Sequence, residues 1–543
     1  MKHLLKLTTI LLCVILCLSF AACGSEEEEQ GDTNNQTQED SGLGLEYVLN
    51  DSGDSYTVKS FGSCTETKLT IPNVYKEKPV TAIGESAFEE NTKLTSVTIP
   101  DSVVSIGNTA FKNCKSLGVV KLSKNLNSLG AGAFLGCTRL VSIEIPSSLS
   151  LIEYNTFNGC IDLVSVVIGS GVTEIQENAF SECHKLVEVK NNSSAITVTN
   201  DEANGCVGLN ALSIFNSGDT YESKLVYQED GIILHESEAG VFLVGYTGDS
   251  LSVDIPSNVD RIWKYAFYGD SDIYAVSTKN VSVIEEYAFY GCYNLLRVEL
   301  DGNLSQIEDK AFWDCVKLVE IVNRSTLKIS HDGDNGRIGN ASVYNHIFDG
   351  SKYTGSTITK NSDGYIYFKY GTQYWLLGYI GDKTDISIPA EIDEVYRYAF
   401  YKNEKITSVF ISKNVTEIGS SAFEDCINLK KIEFEKCDED RLGKPTNGID
   451  ELGTACFKGC ENLEFVIIPK TVDTIYKEAF VDCKNAQIYL MTPYDDFDGC
   501  YPHEWHSNSK NLYWYTETDP VNLSTYVEGK NYWRYVDGKI TLW

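Results

Sequence analysis

Apolar residues recur along this chain on a single beat. A step of the form Ile-Gly-x-x-Ala-Phe, as in Ile106-Gly107-x-x-Ala110-Phe111, is followed by Leu-x-x-Val-x-Ile, as in Leu140-Val141-Ser142-Ile143-Glu144-Ile145. Phe88, Phe111, Phe134, Phe157 and Phe180 are spaced by 23 residues without drift. The register continues at Ala203, where the ring is missing, and returns at Phe267, Phe289, Phe312, Phe348, Phe400, Phe423, Phe457 and Phe480, about fourteen coils in all. The Val-x-Ile alternation predicts a short strand with both apolar residues inward, and the Pro that follows, Pro100 or Pro146, stops it. The Ala-Phe step is expected on the opposite side of the coil in a tight helical turn, where Ala permits close approach and Phe fills the middle.

One such coil cannot bury its Ile, Ala, Phe, Leu and Val alone, so coils must stack strand over strand at about 4.8 Å. The expectation is therefore one elongated solenoid, although 543 residues would otherwise suggest several compact domains.

The unit Ile-Gly-x-x-Ala-Phe-x-x-Cys-x-x-Leu-x-x-Val-x-Ile-Pro resembles the BspA-type leucine-rich repeat of bacterial cell-surface proteins, over most of residues 45–543. Leu45-Glu46-Tyr47 through Ile71-Pro72 is similar to that family's N-terminal start, and Trp514-Tyr515 through Val536-Asp537-Gly538 to its C-terminal end. The resemblance implies an α/β leucine-rich-repeat solenoid: a right-handed superhelix with a parallel sheet of short strands and short helical or irregular turns opposite. It also implies a surface location, with adhesion attributed to some members.

Two stretches break the beat. Asp230 to Tyr246 and Asp363 to Tyr379 each read as two β-rich runs around a polar turn, followed by Ile255-Pro256 and Ile388-Pro389. They are read as β-hairpin spacers that restart the solenoid, with ligand contact as the alternative. The organisation is then a lipoprotein signal peptide (1–23), an acidic flexible tether (24–42), an N-terminal β cap (43–82), a first repeat array (83–215), a β spacer (216–255), a second array (256–360), a second spacer (361–388), a third array (389–490) and an aromatic C-terminal cap (491–543).

Residues 1–23 combine Lys2 and Lys6, an apolar run from Leu7 to Leu18 and Ala21-Ala22-Cys23, a secretory pattern similar to a bacterial lipobox with Phe20 where Leu is usual. Cys23 is the expected lipid attachment site. The expected location is the outer face of a bacterial cell membrane, with secretion as the alternative. The formal net charge is −32, and losing the leader, which carries two lysines and no acid, makes it more negative. That field repels phosphate backbones and anionic headgroups, so nucleic acid is excluded as a partner and the membrane is met through the lipid anchor only.

Ten of the 17 cysteines follow the repeat Phe, or Ala203, by three residues: Cys114, Cys137, Cys160, Cys183, Cys206, Cys292, Cys315, Cys426, Cys460 and Cys483. Stacked with parallel side-chain vectors, they are poorly placed for disulfides and read as a structural ladder of buried thiols. Asn91, Asp270, Ser351 and Asn403 take the same slot elsewhere, so a small, partly polar side chain is what it needs. Cys64, Cys437, Cys456 and Cys500 lie off the ladder. His503-Glu504-Trp505-His506 has the wrong spacing for a two-histidine zinc helix, and Asp332-Gly333-Asp334-Asn335-Gly336 opens like a calcium loop but has Val343 at the twelfth position. No catalytic residue, cofactor or metal is expected.

Binding is expected on the two residues flanking each strand's central Val, which stacking turns into columns: Ser96 and Thr98, Val119 and Lys121, Ser142 and Glu144, Ser165 and Val167, Glu188 and Lys190, then Arg297 and Glu299, Glu320 and Val322, Ser408 and Phe410, Lys431 and Glu433, Phe465 and Ile467. The last columns are apolar, with Phe410, Phe465 and Ile467 as candidates. A second candidate is an aromatic stripe through Tyr268, Tyr290, Trp313 and Tyr401, with Tyr265, Tyr287, Tyr293 and Tyr398 nearby; packing between coils is its alternative. The reading is a non-catalytic surface lipoprotein that binds an extracellular protein or glycan. Its alternatives are an extracellular enzyme acting on glycan or peptide through loop carboxylates, and a self-associating structural protein.

Overall fold

The computed structural model describes residues 43–330, 334–340, 346–350, 355–441, 445–491, 502–506, 511–517, 519–522, 530–537 and 539–543. The signal segment with Cys23, the tether, Asp332-Gly333, Val343, Ser351, Cys500 and the His503 side chain lie outside the described residues. The chain forms a leucine-rich-repeat solenoid in two compact units. One runs through Cys315 and takes in Ile321–Ile347; the other comprises Val316–Glu320 and Phe348–Trp543.

In the first unit the Val-x-Ile segments form a seven-stranded sheet ordered Ser213–Phe215, Glu188–Asn191, Ser165–Ile168, Ser142–Glu144, Val119–Lys121, Ser96–Thr98 and Lys68–Thr70. Neighbours run parallel and in register, Ser142 opposite Ser165 and Ile143 opposite Val166. The Ile of the Ile-Gly step belongs to a second parallel ladder of two-residue strands, in which Ser105–Ile106 pairs with Ser128–Leu129. The second unit repeats the arrangement. Asp385–Ser387, Ser408–Ile411, Lys431–Phe434, Phe465–Ile468, Gln487–Leu490, Leu512–Tyr515, Asn531–Val536 and Lys539–Leu542 make an eight-stranded sheet, while Glu394–Val395, Glu417–Ile418, Glu451–Leu452 and Thr474–Ile475 make the short ladder.

The Ala-Phe side differs from the expected helical turn. Thr109 and Asn113 have φ of 51° and 58°, which breaks any helix. Their backbones instead ladder between coils: Thr109, Phe111 and Asn113 donate N–H to the carbonyls of Ala131, Ala133 and Leu135. Every side of the coil is thus hydrogen-bonded to the next, so backbone groups buried by stacking keep partners. Among the described residues helix is limited to Pro502–Trp505 and the 3-10 segments Asn204–Cys206, Asn335–Asn340 and Pro520–Asn522.

Phenylalanines fill the middle as a column of offset rings. Phe88 to Phe111 is 4.8 Å between centroids at 1°, Phe111 to Phe134 5.1 Å at 3°, and Phe400 to Phe423 4.7 Å at 5°. At the two interruptions, Ile232–Ser237 and Gly240–Tyr246 form an antiparallel hairpin, as do Tyr365–Tyr370 and Gln373–Tyr379. The second strand of each then pairs in parallel with the next short strand, Arg261–Ile262 or Glu394–Val395, so the hairpin stands in the short ladder as a coil would.

Candidate binding surfaces

The cysteine slot shows why a small, weakly polar group recurs there. The thiols of Cys114, Cys137, Cys160 and Cys183 each donate to the carbonyl of the Phe one coil earlier, at 3.0 to 3.3 Å, and Cys292, Cys315, Cys426, Cys460 and Cys483 do the same at 3.0 to 3.2 Å. All nine are buried and free. Burial pushes the Cys426 thiol up to about 12 and holds Cys137, Cys183, Cys292 and Cys460 well above the ordinary thiol value, which keeps them out of thiolate chemistry. Asn91 and Asn403 fill the slot by accepting N–H groups of the following turn.

Cys206 departs from the ladder assignment. Phe180 N–H donates to the Gly205 carbonyl, where earlier coils present the repeat alanine, as Phe157 does to Ala179. The register has slipped by two residues, leaving Cys206 half-buried and accepting from Ser181 Oγ at 3.4 Å. Gly336 takes the same place after Phe312, whose N–H it accepts. Both glycines have φ of 62°, and a Cβ on either would lie 2.5 Å from a backbone carbonyl oxygen, that of Gln176 or of Glu308. The signal for this was the Asn204-Gly205 and Asn335-Gly336 pairs, placed alike before each interruption.

The outward columns are not continuous. Glu188 is 2% exposed, because the Tyr221 and Ser223 hydroxyls bond one carboxylate oxygen at 3.0 and 2.8 Å and the Lys224 N–H bonds the other at 2.8 Å. Glu320 is likewise buried, by Ser356 and Thr357; Val322 is buried as well. Glu188 and Glu320 each lie on the strand next to the end of their sheet, and the chain that follows the array supplies these partners. In the second unit Phe410 is exposed at 38% while Phe465 and Ile467 are half-buried. The Lys431–Glu433 ion pair, 2.7 Å, stands on the strand between them. Beyond Ile467 the column gains Tyr489 and Tyr513, stacked at 4.7 Å, which a reading of the repeats alone missed because these strands lack the repeat motif.

The aromatic stripe is internally stacked. Tyr265 lies on Tyr287 at 5.3 Å and 1°, and Tyr268 on Tyr290 at 5.1 Å and 9°. His184 stacks on Tyr265 at 4.5 Å, and the Arg337 guanidinium sits 3.9 Å over Trp313. Ring faces are spent on neighbours and capping groups, which favours packing between coils over a sugar platform. In the second unit Tyr398 and Tyr401 meet edge to face at 5.5 Å, with Lys402 over Tyr401.

Among the described residues no group of three or more His, Cys, Asp or Glu is placed to hold a metal ion. His506 is buried with Nδ1 3.3 Å from the Phe480 carbonyl, the position a ladder thiol takes elsewhere. Ser213 Oγ lies 2.8 Å from His235 Nε2, but Nδ1 of that buried ring has no partner to fix a tautomer, and burial lowers its basicity. A Ser–His pair without its orienting acid lacks the third member of a hydrolytic triad.

The family model described as the BspA type Leucine rich repeat region matches six copies, over residues 54–188, 246–332, 381–444 and 434–499. Among solved structures, the chain is 19% identical to a leucine rich cell surface protein of Faecalibacterium prausnitzii, covering 89% of this chain and 99% of that one with a TM-score of 0.26. It is also 19% identical to a leucine-rich repeat protein of Bacteroides ovatus, over 82% and 98% of the two chains, TM-score 0.26. A leucine rich repeat protein of T. pallidum is 27% identical over 32% of this chain and 79% of its own, TM-score 0.27. Among curated proteins no match was found.

Proposed function

The chain belongs to the BspA-type leucine-rich repeat family, and from that we propose that it is a non-catalytic, lipid-anchored bacterial surface protein that captures an extracellular protein or glycan partner. The docking face is the outward side of the eight-stranded sheet in the second unit. The observation that carries this is Phe410, a large apolar side chain 38% exposed on a hydrogen-bonded sheet, where neighbouring coils add Phe465, Ile467 and Tyr513. A rigid sheet holds these groups in place before binding, so little ordering entropy is lost on contact.

Purified residues 24–543 are applied to an array of extracellular-matrix proteins and free glycans, alongside the Phe410→Ser/Phe465→Ser variant. Capture that weakens at least tenfold, about 1.4 kcal/mol, with an unchanged circular dichroism spectrum supports the reading. Undiminished capture removes this face.

A further inference from the structure

The eight-stranded sheet of the second unit ends on the strands Asn531–Val536 and Lys539–Leu542. They pair antiparallel, Trp533 opposite Leu542, Arg534 opposite Thr541 and Tyr535 opposite Ile540. Trp543 N–H donates to the Tyr532 carbonyl at 3.1 Å, and bonded pairs alternate with non-bonded ones along an antiparallel ladder. Thr541 is therefore bonded to Arg534, while the N–H and C=O groups of Ile540 and Leu542 turn away from the sheet. Among the described residues no strand lies beyond them and no hydrogen bond engages them.

An open edge is a template for another strand unless something blocks it. Glu46–Leu49, the edge strand that opens the first unit, is blocked: its register shifts between Glu46 and Tyr47, and Glu46 sets a carboxylate on the edge. Lys539–Leu542 has no proline, no register shift and no acid, and Lys539 is its one charge. Apolar surface flanks it instead. Leu542 is 55% exposed, and Tyr535, Val536 and Trp543 are exposed as well.

The edge is complementary to itself. A two-fold axis at Thr541 sets Ile540 against Leu542 of the second copy, so that each exchanges both backbone bonds with the other. Ile540 and Leu542 share a face with Tyr535 and Trp533, and cross-strand pairing joins these side chains into one apolar stripe through both copies. Thr541 meets Thr541, and Lys539 meets Trp543 of the second copy, so no like charges stand opposite each other.

We propose that Lys539–Leu542 is a dimerisation edge, through which a second copy of this chain continues the eight-stranded sheet. The outward face that bears Phe410 then runs on through both copies, but the edge does not depend on that face holding a partner. One short strand is less than the interface of a permanent dimer, so the two copies part at about 10–100 µM.

Sedimentation equilibrium of residues 24–543 from about 1 to 300 µM tests it, with the mass expected to rise from one copy toward two. Ile540→Pro removes an outward N–H that the hairpin does not use, and Leu542→Glu sets a charge against Ile540 of the second copy. Both should stay monomeric throughout with an unchanged circular dichroism spectrum, while Phe410→Ser dimerises as wild type does. Oxidation with copper phenanthroline reads the register. The two Thr541 positions stand about 4.5 Å apart as a non-bonded pair, so Thr541→Cys should cross-link; the two Leu542 positions are staggered by about 7–8 Å, so Leu542→Cys should not. A monomer at every concentration, a dimer that survives both substitutions, or no cross-link through Thr541→Cys overturns the edge, as does array capture that needs the edge in a monomeric protein. Undiminished capture by Phe410→Ser/Phe465→Ser with dimerisation intact removes the sheet face alone; weakened capture by that variant from a protein that never dimerises removes the edge alone.

Discussion

Lys185 Nζ lies 2.8 Å from Asp162 Oδ1, with the two side chains only 3% and 13% exposed. This pair sits in a cluster with Arg139, which bonds Asp272 at 2.5 Å, and with buried Asp270, whose carboxyl burial pushes up against the opposing pull of Lys185. The cluster joins residues of the first array to the coil that follows the first interruption. Removing one member of a buried pair leaves an uncompensated charge and costs about 3–5 kcal/mol. Lys185→Met is expected to lower the urea midpoint sharply, and Lys185→Met/Asp162→Leu to recover a large part of the loss. Equal midpoints for wild type and Lys185→Met would show that the cluster contributes nothing.

The phenylalanine column predicts a second stability effect. Phe134 is fully buried between Phe111 and Phe157, and truncation to Ala opens a cavity that rigid neighbouring coils cannot close. Phe134→Ala should cost roughly 3–5 kcal/mol, read from chemical denaturation.

Gly205→Ala and Gly336→Ala test the ends of the first two arrays. Each adds a Cβ into a neighbouring carbonyl at a left-handed φ, at a cost of about 1–3 kcal/mol. Hydrogen exchange should speed up near the substituted turn and leave Ser105 to Ser142 unaffected.

Much of the fold was legible in advance because one spacing recurs: the Phe column, the inward Val and Ile, and the thiol slot each repeat every 23 residues over long runs. The second ladder was not, since strands as short as Ser105–Ile106 carry no alternation to detect. The Ala-Phe side was expected to be helical because Ala and Phe do not encode the left-handed φ that Thr109 and Asn113 adopt. Among candidate surface residues, Glu188 and Glu320 read as outward by strand parity. Their burial depends on Tyr221, Ser223, Ser356 and Thr357, more than thirty residues away in the chain. The aromatic stripe was visible as composition, but only geometry shows that its ring faces are occupied.

Glu394, Glu417 and Glu451 stack in register on the short ladder of the second unit. Burial, and then the Glu417 charge, push the Glu394 carboxyl up to about 7. A raised carboxyl stabilises the fold below its unfolded value, about 4.3, and that contribution is lost as pH rises through 7. Glu394→Gln should therefore be more stable than wild type at about pH 8 and close to it at about pH 4. A thermal-shift series across this range reads the crossover; an identical offset at every pH would refute it.

The central claim is that the outward face of the eight-stranded sheet holds the extracellular partner. Hydrogen–deuterium exchange with and without the strongest array hit locates the contact directly. Slowed exchange in Ser408–Ile411 and Phe465–Ile468 on binding is the predicted result. Bound protein whose protection falls wholly outside that sheet would contradict it.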